Sequence, residues 1–377
     1  MRRPLVSLVT LSVLSFVPGC GGGGGDTAVT VPAEAAALDD QMKTGMTRLG
    51  SMVSNVETGL LFVLNPAAGL APSVVVQPDT GPGVPPFSVR YGGRYDGNGD
   101  GIDETTMTGR ATFRSDPDAD WSGVDGQVTL DITIPVVGHV YHAEIAYAIT
   151  SVDRRLSGSG TFTNPLNGNT IALNVPASAP LVIRPATGAA GAQSNACGYS
   201  IDGSASVQVT GSAGTLQSTW VFASTSASVA VTGASFTNSA GQTTALDDAT
   251  VDLRCGSGGS IGDWVASYDQ RWACLPRESG NATITIAAAG ADSLTITDED
   301  PPGSGSTKTY QATVVGVSPH AVRGFFLGGD ASNPYREDFT WTLGKNGASY
   351  SQISTYAYTQ GPNVGRGGIC VASARRR

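Results

Sequence analysis

Charge is scarce in this sequence. Asp, Glu, Lys and Arg supply 14% of its residues, with 22 Lys+Arg against 31 Asp+Glu and a net charge of −9. An acidic, lightly charged chain offers no electrostatic footprint for a phosphate backbone, so nucleic acid is excluded as a partner. Histidine is scarcer still, at His139, His142 and His320 only. His139 and His142 would share a face on a helix but point to opposite faces of a strand. Zinc hydrolase chemistry therefore has almost no ligands to draw on. No two cysteines have Cys-x-x-Cys spacing, which argues against a zinc or thioredoxin-like site. Long apolar runs are also missing. Leu5 to Val17 comes nearest, and it is too short to span a bilayer.

That short run carries information of another kind. Arg2 and Arg3 precede it, small residues follow it, and it leads to Val17-Pro18-Gly19-Cys20. This is the layout of a secretory signal peptide. Its ending resembles the lipobox of bacterial lipoproteins, with Val17 and Gly19 fitting and Pro18 standing where a small residue is usual. The resemblance implies cleavage before Cys20 and acylation of that cysteine, and hence a membrane partner. Gly21 after the cysteine implies the outer rather than the inner membrane. Each buried methylene contributes about 0.8 kcal/mol, so more than one acyl chain makes a durable tether. The expected order is a signal peptide over 1–19, an anchor and Gly-rich spacer over 20–31 and an amphipathic helix over 32–66. An antiparallel β domain follows over 73–255, then a linker over 256–262 and a small β-barrel over 263–377.

The helix rests on Leu38, Met42, Met46, Leu49, Val53, Val56 and Leu60, spaced by three and four. Pro32 suits its first turn and Thr30 its cap. Its apolar stripe needs the following sheet as a partner; a docking role toward another protein is the alternative. Asn65 to Pro86 reads as a loop. Beyond it the pattern is β. Gln127 to Val136 shows the period most clearly, with Val128, Leu130, Ile132 and Ile134 alternating with Thr129, Asp131 and Thr133. Thr105–Phe113, Val140–Val152, Gly158–Thr163 and Thr170–Val175 are further strands. So are stretches within 198–209, 215–223, 227–236 and 243–253. Met107 to Phe113, Leu156 to Phe162 and, more loosely, Val231 to Phe236 repeat a phrase, which predicts similar hairpins. After Asp263, strands begin near Trp264, Ala282, Ser293, Lys308, Val322, Asp338, Tyr350 and Gly368. Such a meander can close into a barrel and remove its edges. Gly262-Asp263-Trp264 resembles the Gly-x-Trp start of lipocalin- and avidin-type barrels.

With Cys20 given to the anchor, Cys197, Cys255, Cys274 and Cys370 form an even set, which in an exported chain reads as two disulfides. Three pairings are open. In a closed barrel the first and last strands are neighbours, which favours Cys274–Cys370. Cys197–Cys255 would likewise join the ends of its meander.

The candidate metal site is Asp96, Asn98, Asp100, Ile102 and Glu104. Oxygen donors at first, third and fifth positions, with Gly101 sixth, suit Ca²⁺. The loop resembles the Asp-x-Asp-x-Asp-Gly loops of calcium-binding repeats, though Met107 replaces the bidentate Glu at the twelfth position. The competing reading is a polar hairpin loop of Asn-Gly and Asp-Gly turns. Asp116, Asp118 and Asp120 read as a solvated turn. Gly258-Gly-Ser260-Ile-Gly262 matches Gly-x-Ser-x-Gly but lacks the strand and helix that a nucleophile elbow needs. Trp264, Trp272, Trp341 and Tyr310 are candidates for the barrel interior, as core or as ligand surface. Arg375 to Arg377 read as a solvated tail.

The sequence thus predicts a mainly β, exported lipoprotein of the cell envelope with a non-enzymatic binding or structural role. Its expected partners are the membrane and an envelope protein, a saccharide or a small apolar ligand. A carrier or sensor of a small apolar ligand in the barrel is the alternative, and a hydrolase the third class. If the Asp96–Glu104 loop holds Ca²⁺, titrating the purified protein with millimolar Ca²⁺ will release binding heat. A flat trace identifies a plain hairpin loop.

Overall fold

β-branched and aromatic residues alternating with Thr, Ser and Gln give the chain its architecture, because such a run presents one dry and one wet face. The computed structural model describes residues 32–46, 74–95, 105–114, 125–134, 139–149, 153–163, 167–185, 199–252, 260–275, 278–318, 321–343 and 349–377. The protein is mainly β and antiparallel, with one short α-helix, α1 (Ala36–Met46). Among the described residues no helix is long and apolar enough to cross a membrane.

The first sheet contains β1 (Val74–Pro78), β2 (Ser88–Tyr95), β3 (Thr105–Phe113), β4 (Asp125–Ile134), β5 (His139–Ile149), β6 (Arg154–Thr163), β7 (Thr170–Val175), β8 (Leu181–Pro185), β9 (Tyr199–Gly211), β10 (Gly214–Phe222), β11 (Val229–Asn238), β12 (Thr243–Ala245) and β13 (Ala249–Val251). It runs in chain order from β1 to β7, then β9 to β12, while β8 bridges β6 and β9 and β13 pairs with β11. β1 and β8 correct the sequence reading, which left both segments without strands. Pro78 and Pro185 each end a five-residue strand. β1 is an edge strand, where a residue without an N–H is tolerated. The strand expected over 243–253 is two strands, β12 and β13, both laid on β11.

The repeated phrase falls on β3, β6 and β11, and each is followed by an antiparallel partner. Its glycines do different work. At Gly109 a Cβ would stand 2.4 Å from the Tyr91 hydroxyl, whose ring crosses the strand to donate to the Thr129 carbonyl at 2.6 Å. At Gly158 φ is +119° and a Cβ would meet the Glu144 carbonyl at 2.1 Å, so no side chain fits. Arg90 and Arg110 oppose each other across β2 and β3. The buried Asp79 carboxylate lies between them, at 2.7 and 2.6 Å.

Helix α1 packs its Leu38, Met42 and Met46 into the core of this sheet, against β9 and β10. Asn169 donates to Gln41 at 2.7 Å, and the Ser218 hydroxyl reaches the Met42 sulfur at 3.0 Å. Pro32 precedes the opening 3-10 turn (Ala33–Ala35) in extended conformation and contributes no side-chain cap. The rest of the expected helix lies outside the described residues.

The C-terminal strands close on themselves. These are β14 (Ala266–Leu275), β15 (Glu278–Gly290), β16 (Ser293–Glu299), β17 (Thr307–Ser318), β18 (Ala321–Gly328), β19 (Tyr335–Leu343), β20 (Ser349–Tyr358) and β21 (Gly367–Arg376), a closed antiparallel barrel. β14 pairs with β21 along its length, from Tyr268↔Arg376 to Leu275↔Ile369. Cys274 and Cys370 stand directly opposite in that seam as a disulfide pair, their Cα atoms 4.0 Å apart. The first strand begins two residues after Trp264, close to the expected start, and Trp264 itself lies in a 3-10 turn (Ile261–Trp264). Ser260 to Gly262, the last residues of the expected linker, are part of that capped turn. The Ser260 hydroxyl accepts from Gly262 N, and Asp263 accepts from Ser260 N.

The Cys274–Cys370 bridge closes a loop of sequence separation 96. Removing both cysteines by Cys274→Ala and Cys370→Ala should lower unfolding stability by about 2–5 kcal/mol, chiefly by freeing the unfolded chain. Urea denaturation of the oxidised protein and the double variant measures the difference.

Candidate functional site

The barrel interior divides into a dry half and a wet half. Its lower half is closed by Trp264, Tyr268, Ile286, Leu294, Trp341 and Tyr350, each 2% exposed or less. Their rings pack together. Tyr268 meets Tyr350 edge-on at 4.8 Å, and Trp264 lies 6.0 Å from Trp341. Arg376 donates from below to the Val265 carbonyl at 3.0 Å and ties the last strand to the plug.

The upper half is built differently. Tyr335 and Glu337 share strand parity with the buried Phe339 and Trp341 on β19, and Asp298 with the buried Leu294 and Ile296 on β16, so all face inward. Tyr356 and Tyr358 lie on the same face of β20 as Tyr350 and Ser354. Tyr310 on β17 packs against the barrel core, its ring 4.6 Å from Phe326. Trp272 covers Gly280, where a Cβ would come within 2.9 Å of the indole. Trp272, Asp298, Tyr310, Tyr335, Glu337, Gln352, Tyr356 and Tyr358 are only half-buried. These inward-facing side chains are less buried than those of the floor.

A chain of hydrogen bonds joins the two halves. Gln270 donates to the Tyr350 hydroxyl at 3.1 Å and to Gln352 Oε1 at 3.2 Å. The Trp341 indole N–H donates to the same Gln352 oxygen at 3.0 Å, and Gln352 Nε2 donates to Ser354 at 3.2 Å. Ser354, 2% exposed, hydrogen-bonds the Glu337 carboxylate. Burial, with Asp338 and Asp298 adding to it, pushes the Glu337 carboxyl up to about 7 against the ordinary 4.5; the Ser354 hydrogen bond partly offsets this. Burial first, then Asp300, pushes Asp298 up, opposed by Lys308 across the ladder. One Asp298 oxygen, Oδ1, is buried without a hydrogen-bond partner among the described residues. The Tyr310 and Tyr335 hydroxyls share a hydrogen bond. Burial, reinforced by Glu337, raises Tyr335 and Tyr356 as well.

Sequence reasoning missed Glu337 and Asp298, although the signal was present. In Tyr335-Arg-Glu-Asp-Phe-Thr-Trp341 the residues alternate, and Glu337 stands alone among Tyr335, Phe339 and Trp341 on the apolar face. Leu294, Ile296 and Asp298 show the same break. Of the aromatic candidates, Trp264 and Trp341 are core, whereas Trp272 and Tyr310 line the wet half.

Of the remaining candidates, Cys20, the Asp96, Asn98, Asp100, Ile102 and Glu104 loop, the Asp116–Asp120 run, Cys197, Cys255 and His320 lie outside the described residues. Tyr95 and Thr105, on either side of the Asp96–Glu104 loop, pair across β2 and β3. Among the described residues no group of three or more His, Cys, Asp or Glu is placed to hold a metal. His142 lies on β5 with Asp131 2.7 Å from Nδ1 and Glu144 3.5 Å from Nε2. Both ring nitrogens face carboxylates, the Asp131 hydrogen bond chiefly raising the pKa, and neither is turned to a hydroxyl nucleophile. The Ser260 oxygen is engaged in its capping turn. Arg376 and Arg377 are not a free tail; Arg377 pairs with Asp269 at 2.7 Å and donates to Thr283 at 2.8 Å.

Fold and site together define a closed antiparallel β-barrel with a plugged floor and a polar, aromatic mouth. No family model matches the chain, and no curated protein matches it. Among solved structures, a protein of unknown function from the DUF3598 family of Nostoc punctiforme is 9% identical. The match covers 68% of this chain and 92% of that one at a TM-score of 0.27, a likeness that carries no argument.

The raised Glu337 carboxyl ties stability to pH. Below about pH 4.5 it is protonated whether the chain is folded or not. As pH rises toward 7 the unfolded chain gives up the proton first, so the folded state loses stability through that window. The loss should be on the order of 2 kcal/mol, reduced from the full linkage value by the water that reaches this half-buried group. Denaturant titrations at pH 4.5 and 7.5 should show this loss in the protein and its absence in Glu337→Gln.

Proposed function

We propose that this chain is an exported lipoprotein of the cell envelope, tethered through acylated Cys20, whose C-terminal barrel binds a small ligand without catalysing a reaction. One observation carries the binding reading. The barrel's upper interior keeps half-buried tyrosines, a glutamine pair and two carboxylates where tight apolar packing would stabilise it more. Small-ligand sites are concave and lined by aromatic residues with a few placed polar groups, and this interior has that make-up. The tether rests on the signal-like residues before Cys20 and the Gly-rich spacer after it. The absence of a catalytic role is part of the proposal and rests on the scarcity of histidine in the sequence.

Two measurements test the proposal. Labelling with a palmitate analogue should mark the protein and fail on Cys20→Ser, which should also move from the membrane fraction to the soluble one. Native mass spectrometry of protein purified from its own envelope should show a bound small molecule. An unlabelled, soluble wild type refutes the tether, and a protein that carries nothing and takes up nothing refutes the binding role.

A further inference from the structure

The wet half of the barrel has a chemistry narrower than general ligand binding. Tyr335, Tyr356 and Tyr358 form a triangle with centroid separations of 5.9, 6.0 and 6.1 Å, their planes inclined at 65°, 74° and 88°. Tyr310 is hydrogen-bonded to Tyr335. Glu337 and Asp298 face inward beside this group, and the Asp298 charge adds to the upward shift of the Glu337 carboxyl. No positive group acts on Glu337 among the described residues. Arg336, next to it in sequence, is committed elsewhere, with Asp338 at 2.6 Å and the Phe325 ring at 3.8 Å. Lys308, opposite Asp298 on β17, is exposed.

We propose that the wet half of the barrel binds a small organic cation, an amine or quaternary ammonium, which lodges against the tyrosine triangle and neutralises the Glu337 and Asp298 carboxylates. The assignment rests on the binding reading given above and names the ligand class of that site. A carboxylate held inside the barrel with no cation acting on it, as Glu337 is among the described residues, is costly to ionise, and a bound cation lowers that cost. Aromatic rings attract weakly hydrated cations through their π faces, which suits an alkylammonium better than a metal ion. A hard divalent ion takes six to eight oxygen ligands, and two carboxylates with a ring of phenols do not supply them. The orphaned Asp298 Oδ1 is an acceptor suited to an ammonium N–H. An uncharged apolar ligand would leave Glu337 uncompensated and the Asp298 Oδ1 without a donor.

Calorimetry of the full-length protein in detergent, with choline, butylamine and 3,3-dimethyl-1-butanol as probes, tests this. The last is close to choline in shape but uncharged. Saturable binding of choline or butylamine, at least tenfold tighter than the alcohol, is the expected result. Glu337→Gln, which should fold at least as well at neutral pH, should weaken the cation tenfold or more, as should Asp298→Asn. Equal binding of the alcohol, or full cation affinity in both variants, overturns the proposal. Should protein from its own envelope carry a neutral molecule while both cations fail, the barrel is a binding site of another kind and only the ligand class falls. If it neither carries nor takes up any molecule, the binding reading falls too.

Discussion

The barrel depends on one seam. β14 and β21 lie at opposite ends of the C-terminal segment, and their pairing turns a curled meander into a closed wall. Without it two strand edges would be left open and the inward faces would not be enclosed. The seam is held near both ends by different means. Toward the mouth stands the Cys274–Cys370 pair, and toward the floor Arg376 and Arg377 bind the Val265 carbonyl and Asp269. Trp264 gains its burial only because the closed wall provides a floor for it to plug. The enclosed interior, the polar chain through Gln270 and the raised Glu337 carboxyl all follow from that closure.

Once closed, the wall creates two competing environments. Aromatic stacking among Trp264, Tyr268, Trp341 and Tyr350 dries the floor, and each large buried side chain there contributes about 1.5–3 kcal/mol. Above it, polar side chains take inward positions that Leu or Ile would fill with less loss of solvation. The Gln270, Gln352 and Ser354 network limits that loss by pairing nearly every group it contains, down to the indole N–H of Trp341. Glu337 and Asp298 stand at its upper margin, where pairing stops. A fold that satisfies so many interior groups, yet leaves Glu337 with no cation acting on it and one Asp298 oxygen without a hydrogen bond among the described residues, concentrates its unmet chemistry in one place.

Much of this was legible in the residues, to different depths. Alternation in Gln127 to Val136 marked β4 and its two faces, and eight successive strand starts after Asp263 implied the barrel. Closure made neighbours of two cysteines far apart in sequence. β1 and β8 were hidden because their prolines suggest loops, and only pairing with β2, or with β6 and β9, shows them as strands. The strand start near Trp264 was legible, but the turn that holds Trp264 was not; its capping box is visible in Ser260 and Asp263 only once the turn is known. The site was the least legible part. Glu337 looks like one charge among Arg336 and Asp338 until the parity of Phe339 and Trp341 turns it inward. Asp298 needs the barrel's circular order before it stands near Glu337 at all.

The first sheet bears on the site through the outer face of the same wall. Arg323 on β18 is 6% exposed, its guanidinium 4.9 Å over the Tyr199 ring that begins β9. Arg154, at the start of β6, hydrogen-bonds Thr355 on β20. Thr355 lies between Ser354 and Tyr356, and Arg323 is beside Gly324, where a Cβ would come within 2.8 Å of the Phe339 ring. Thus β20, which carries Ser354, Tyr356 and Tyr358, is held from outside by a side chain of the other sheet, while β18 reaches across to that sheet through its own Arg323. Inward residues keep a fixed geometry only when contacts behind them hold their strands in place. The first sheet supplies such contacts to the wall of the barrel, from the side opposite to Glu337 and the tyrosines.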